Sequence, residues 1–110
     1  GNDIVNPWGG DVNVNIIANS PPKYLRVWMY SVPRGKACID LSASIIKAYS
    51  PLRNGGNTSP NLMYLSIGAD AINDNAVMGF TPGFEQTLDA IANYCKGSGT
   101  IDVSVRFYFP

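Results

Sequence analysis

The run from Ile101 to Phe109 constrains this chain most. Ile101, Val103, Val105, Phe107 and Phe109 hold one parity, and Asp102, Ser104, Arg106 and Tyr108 hold the other. Successive side chains of a strand point to opposite faces, so this alternation predicts a β-strand with one apolar and one polar side. Such a strand needs partner strands beside it and a second layer over its apolar side. The rest of the chain must supply both.

A length of 110 residues suits one domain, residues 1–110, with a single core. Apolar residues make up 45% and charged residues 15%, which leaves a neutral surface rich in Asn, Ser, Gly and Thr, as extracellular proteins and contact surfaces have. Eight Lys and Arg balance eight Asp and Glu. No basic stripe forms, and nucleic acid is not an expected partner. The sequence has no apolar run of about 18 residues and no signal-peptide pattern at Gly1, as expected of a mature or truncated secreted form.

Asn6-Pro7-Trp8-Gly9-Gly10 is rich in turn residues and leads into Asp11-Val12-Asn13-Val14-Asn15-Ile16, a second alternating strand. After Ser20-Pro21-Pro22, the aromatic and branched run Tyr24 to Tyr30 is expected to hairpin onto it. Ser31-Val32-Pro33 then predicts a helix start with proline in the first turn, and Ala37, Cys38, Leu41, Ile45 and Ala48 predict an apolar stripe running to about Tyr49. The stretch from Asn54 to Pro60 is loop, Leu62 to Ile67 a short strand, and Gly68 to Gly79 a region of turns. Thr81 and Pro82 predict the start of a second helix with Phe84, Leu88, Ile91 and Cys95 on one stripe, ended by Gly97.

The two cysteines match no metal-ligand spacing, and without any histidine no Cys/His zinc site is possible. Composition alone leaves two buried thiols of a cytosolic protein as an open alternative. Cys38 and Cys95 each lie on the apolar stripe of a helix, and both helices must press on one sheet, so a disulfide between them is the expectation.

Taken in order, Asn6-Pro7-Trp8-Gly9-Gly10 before an alternating strand, Val32-Pro33 followed by Cys38 at a helix start, Tyr94-Cys95 at a helix end, a Gly/Ser turn and an aromatic final strand resemble type IVb pilins. The thin-pilus, toxin-coregulated and colonisation-factor pilins are the nearest of these. The resemblance runs from Asn6 to Phe109, with no motif between Asn54 and Thr81. It implies a filament subunit whose disulfide, here Cys38 to Cys95, encloses a variable surface segment used for subunit contacts and display. It also implies a long first helix, apolar in its first half, which anchors the subunit in the inner membrane and later fills the filament core. This chain carries no such helix, and its removal to give a soluble head is the expectation.

Chemistry finds little support. The absence of histidine removes the commonest general base. Ser44-Ile45-Ile46-Lys47 has S-x-x-K spacing without the S-D-N or K-T-G partners that such a site needs. Asp70, Asp74 and Asp89 with Asn73 and Asn75 have no calcium-loop register. Gly55-Gly56 and Gly97-Ser98-Gly99 are turns without the setting of a phosphate loop, and Asn57-Thr58-Ser59 fits a glycosylation sequon that carries no weight in a bacterial protein.

The expected fold is therefore α+β: an antiparallel sheet of four or more strands with two packed helices, as in a type IV pilin head. No catalytic, cofactor or metal site is expected. The expected partners are other pilin subunits, the pilus assembly machinery, and a host or recipient-cell receptor, with a membrane touched only through the first helix. The expected location is a cell-surface pilus, reached through the inner membrane and periplasm. A secreted carbohydrate-binding module, with Trp8, Trp28 and tyrosines lining a sugar face, is the competing class. If the first helix is missing, the apolar sides of Val12 to Ile16 and Ile101 to Phe109 should form an exposed groove.

Overall fold

A computed structural model describes residues 4–16, 23–49, 61–72 and 84–109. In chain order they form β1 (Ile4–Val5), β2 (Asp11–Ile16), β3 (Lys23–Pro33), α1 (Lys36–Tyr49), β4 (Asn61–Ile67), β5 (Asp70–Ile72), α2 (Phe84–Cys95) and β6 (Thr100–Phe109). The strands make one six-stranded sheet in the order β1-β2-β3-β6-β4-β5, with every neighbouring pair antiparallel. The α+β class and the β2–β3 hairpin are as the sequence predicts. The strand with the clearest alternation, β6, sits centrally between β3 and β4.

Parity and register decide what is buried. Val103 and Val105 of β6 stand level with Met29 and Val27 of β3 and with Ile67 and Leu65 of β4. All point to the face that α1 and α2 cover, where Ile46 and Ile91 join them in a fully enclosed core. Two bulges keep that face apolar. On β3 the register shifts between Met29 and Val32, so Tyr30 and Ser31 together oppose Asp102, and Val32 returns to the core side. Ser31 takes the strained φ of 59° at that point, and its amide donates to Asp102 Oδ1 at 3.2 Å. On β4 the shift between Leu62 and Tyr64 lets Leu62 and Leu65 both face inward.

Three expectations need correction. Val32 and Pro33 are the end of β3, paired with Ile101 and Thr100, and not the first turn of the helix. Helix α1 starts at Lys36, because the bulge carries the strand on past Ser31. Its buried stripe is Cys38, Ser42 and Ile46, rotated from the expected one; Ala37 and Leu41 are only part-buried and Ala48 is exposed. Finally, Gly68 opens a tight hairpin, a turn within the region expected to contain turns, and it leads into a strand not expected there, β5. The expected loop from Asn54 to Pro60, the Ser20-Pro21-Pro22 link, the Thr81-Pro82 cap, the sequon and Asp74 lie outside the described residues.

Candidate functional site

The two faces of the sheet are covered unequally. Register places Val12, Val14 and Ile16 of β2 level with Met29, Val27 and Leu25, and Ile4 level with Val12, so all four point to the helix-bearing side. Helix α1 packs on β3, β4 and β6, and α2 on β4. Beyond that cover Ile4, Val14 and Ile16 are 59%, 47% and 68% exposed. The expected uncovered apolar strip is therefore present over β1 and β2. Over β6 it is not, since the chain's own helices enclose Val103 and Val105 there.

The β1–β2 turn builds one end of this strip. Asn6 is buried, and every polar atom of its side chain is used: Nδ2 donates to the Tyr30 carbonyl at 2.7 Å, and Oδ1 accepts from the amides of Trp8 and Gly10, both at 3.0 Å. The backbone closes the same loop, with the Asn6 amide donating to the Gly10 carbonyl at 2.8 Å. Gly9 needs its positive φ of 86°, and a Cβ on Gly10 would lie 1.9 Å from the Tyr30 carbonyl oxygen. The turn thus demands Asn at its start and Gly-Gly at its end, and it presents Trp8 beside α1. Between them lies an open groove of about 580 Å³ lined by Trp8, Lys36, Ala37, Asp40, Leu41 and Ser44. Ala37, Leu41 and Ser44 recur at helical spacing, which explains why α1 is apolar on a stripe it does not bury. At the rim Lys36 donates to Asp40 at 2.6 Å; this hydrogen bond and the Asp40 charge raise the pKa of the fully exposed ammonium above the usual lysine value.

The start of α1, beside this groove, is locked. Cys38 and Cys95 are joined by a disulfide, their Cα atoms 5.6 Å apart, as expected. Around it the Gly35 amide donates to the Cys95 carbonyl at 2.8 Å and Arg34 Nη1 donates to the Lys96 carbonyl at 3.0 Å. The start of α1 and the end of α2 are thereby fixed as one unit on the sheet. In the chain-entropy account, a bridge over so long a loop stabilises the fold by roughly 4 kcal/mol.

Other singled-out residues are placed as follows. Ser44 lines the groove, Lys47 is exposed one turn further along α1, and the exposed Asp70 and Asp89 belong to different elements. Among the described residues no group of three or more Cys, Asp or Glu is placed to hold a metal ion. The two tryptophans do not share a face: Trp8 stands against α1, whereas Trp28 and Tyr30 stack on the side away from the helices with centroids 6.0 Å apart. There they meet Tyr64, one of the tyrosines of the competing sugar-face reading, and Arg26 and Arg106, which were not singled out from the sequence. Strand parity was the available signal, since Tyr24, Arg26, Trp28 and Tyr30 alternate on one side of β3.

Compared with protein families, with curated proteins and with solved structures, the chain matches none.

Proposed function

We propose that this chain is the globular head of a type IVb pilin-like subunit, a structural component of a bacterial surface filament and not an enzyme. The observation that carries the reading is the uncovered strip of Ile4, Val14 and Ile16 on the helix-bearing face, continuous in register with the covered core. An exposed apolar strip beside a packed layer is a place for a further element of that layer. The occupant is an amphipathic helix laid over β1 and β2 alongside α1, which in a pilin is the subunit's own first helix. That helix then fills the filament core, so one strip serves both folding and assembly.

Two features support the reading. The Asn6-to-Gly10 motif is held by a complete hydrogen-bond set, and the disulfide fixes the two helices, leaving the segment it encloses to vary for display. On this reading the partners are other subunits, the assembly machinery and a host or recipient-cell surface. The subunit passes through the inner membrane and periplasm before reaching the cell surface.

The test is made in the cells that produce the protein. Filaments sheared from the surface should contain this chain, and Val14→Lys with Ile16→Lys should remove it from that fraction while the purified domain melts within a few degrees of the wild type. Absence of the wild-type chain from sheared filaments, or undiminished assembly of the variant, would overturn the reading.

A further inference from the structure

On the face turned away from α1 and α2, Arg26 of β3 and Arg106 of β6 stand directly opposite each other in the ladder. Like charges so placed repel. The sheet offers them aromatic rings in place of carboxylates: the Arg26 guanidinium lies 4.5 Å from the Trp28 centroid and 5.8 Å from that of Tyr64, and Arg106 lies 5.2 Å from the same Tyr64 ring. The Nε atoms of both arginines are buried without a hydrogen-bond partner. Among the described residues the carboxylates that parity puts on this face are Asp11 and Asp102. Each is four residues along its strand from the position level with the arginines, Asn15 or Arg106, a separation of roughly 13 Å at strand rise. Asp102 is moreover engaged by the Ser31 amide. Among the described residues the paired guanidinium groups have no counter-charge.

Their surroundings fit one class of ligand. Trp28 stacks on Tyr30 with 12° between their planes and carries Arg26 over its ring, so the three form a row along β3 with the Tyr30 ring at its end. Asn13 and Asn15 are exposed on β2, level with Trp28 and Arg26, and offer amide donors and acceptors. Ser104, level with Trp28 and Ser66, is fully buried among these side chains with its hydroxyl unpartnered. A flat ring for C–H contacts, scattered amides for hydroxyl groups and paired arginines for a carboxylate are what an acidic sugar requires.

We infer that this face binds an acidic saccharide, a chain of sugar rings bearing carboxylates, with Arg26 and Arg106 on one carboxylate and Tyr30, at the end of the stacked row, against a ring further along the chain. A nucleic acid is disfavoured, because tracking a phosphate backbone needs a line of cations. Among the described residues this face has one pair, bounded by Asp11 and Asp102, in a chain of net charge zero. A peptide is disfavoured as well, since it would seek a sheet edge or apolar pockets and the interior of a sheet face offers no free backbone. The inference concerns the side opposite the strip proposed for assembly and holds whether or not the chain forms filaments.

The purified chain is titrated calorimetrically with an oligogalacturonate, with the same oligosaccharide after its carboxyls are reduced to alcohols, and with a single-stranded oligonucleotide. The oligogalacturonate should bind, and Arg26→Gln or Arg106→Gln should each weaken it about tenfold or more, the equivalent of one charge-assisted contact. Asn13→Ala, a change at an exposed strand position, should weaken it with the fold intact and covers the case in which an arginine variant fails to fold. Equal binding of the reduced oligosaccharide would show that the arginines do not select a carboxylate. Tighter binding of the oligonucleotide would make the face a stacking platform for single strands. No binding to any probe would leave the arginines as a purely structural ladder over the rings. Each of these three results overturns the inference.

Discussion

Asn6 Nδ2 donates to the carbonyl of Tyr30 at 2.7 Å, tying the β1–β2 turn to a strand that follows it by 24 residues. The same side chain satisfies the Trp8 and Gly10 amides, so its loss leaves buried backbone groups without partners. Asn6→Ala should cost about 2–3 kcal/mol in urea denaturation, the scale of an unsatisfied buried donor or acceptor. Asn6→Asp keeps the acceptor for the two amides but sets a carboxylate oxygen against the Tyr30 carbonyl, so at neutral pH it should cost at least as much. A loss below about 0.5 kcal/mol for the alanine variant would mean that Gly9 and Gly10 alone set the turn.

The disulfide should carry a large share of stability. Intact protein should show no alkylatable thiol by mass spectrometry, since both cysteines are bonded to each other. Cys38→Ser with Cys95→Ser should lower the melting temperature by more than about 10 °C, following from roughly 4 kcal/mol of lost loop constraint. An unchanged melting temperature would show that the Gly35–Cys95 and Arg34–Lys96 hydrogen bonds suffice to hold the helix ends.

Core and strip should respond in opposite ways to the same chemistry. Ile91→Ala empties a fully enclosed site and should cost about 2–5 kcal/mol. Ile16→Ala removes a side chain that is 68% exposed and should stay within about 0.5 kcal/mol in the isolated domain. If Ile16→Ala costs as much as Ile91→Ala, the strip is already covered and the assembly reading loses its basis.

How far the sequence reveals this molecule depends on the range over which each signal acts. The alternation of Val103 and Val105 with Ser104 and Arg106 is local, and it correctly marks β6 as a half-buried strand. The stripe through Ile91 and Cys95 places α2 for the same reason. Val32-Pro33 misleads because a bulge at Ser31, held by Asp102 from the far end of the chain, continues β3 where local chemistry favours a helix start. Strands β1 and β5 are two and three residues long, too short for any period to show. The opposition of Arg26 and Arg106 is a register fact of strands far apart in sequence. It emerges only once the pairing of β3 with β6, bulge included, has fixed which residues are level.

That opposition predicts a salt response. In the free protein Arg26 and Arg106 repel across the β3–β6 ladder, and the rings of Trp28 and Tyr64 offset part of the repulsion, each such contact being worth about 0.5–1 kcal/mol at an exposed site. Salt shortens the reach of charge, from about 10 Å at 0.1 M to about 3 Å at 1 M, so it should relieve the repulsion. Arg106→Gln removes the repulsion at every salt concentration, together with one ring contact. Raising sodium chloride should therefore stabilise the wild type more than Arg106→Gln, by about 0.2–1 kcal/mol, the size of a cross-strand pair term. Comparing two variants over one salt range cancels the general effect of salt on apolar burial. Parallel salt responses in thermal unfolding would mean that the two guanidinium groups are already screened from each other by Tyr64, and that no unbalanced charge awaits a ligand on this face.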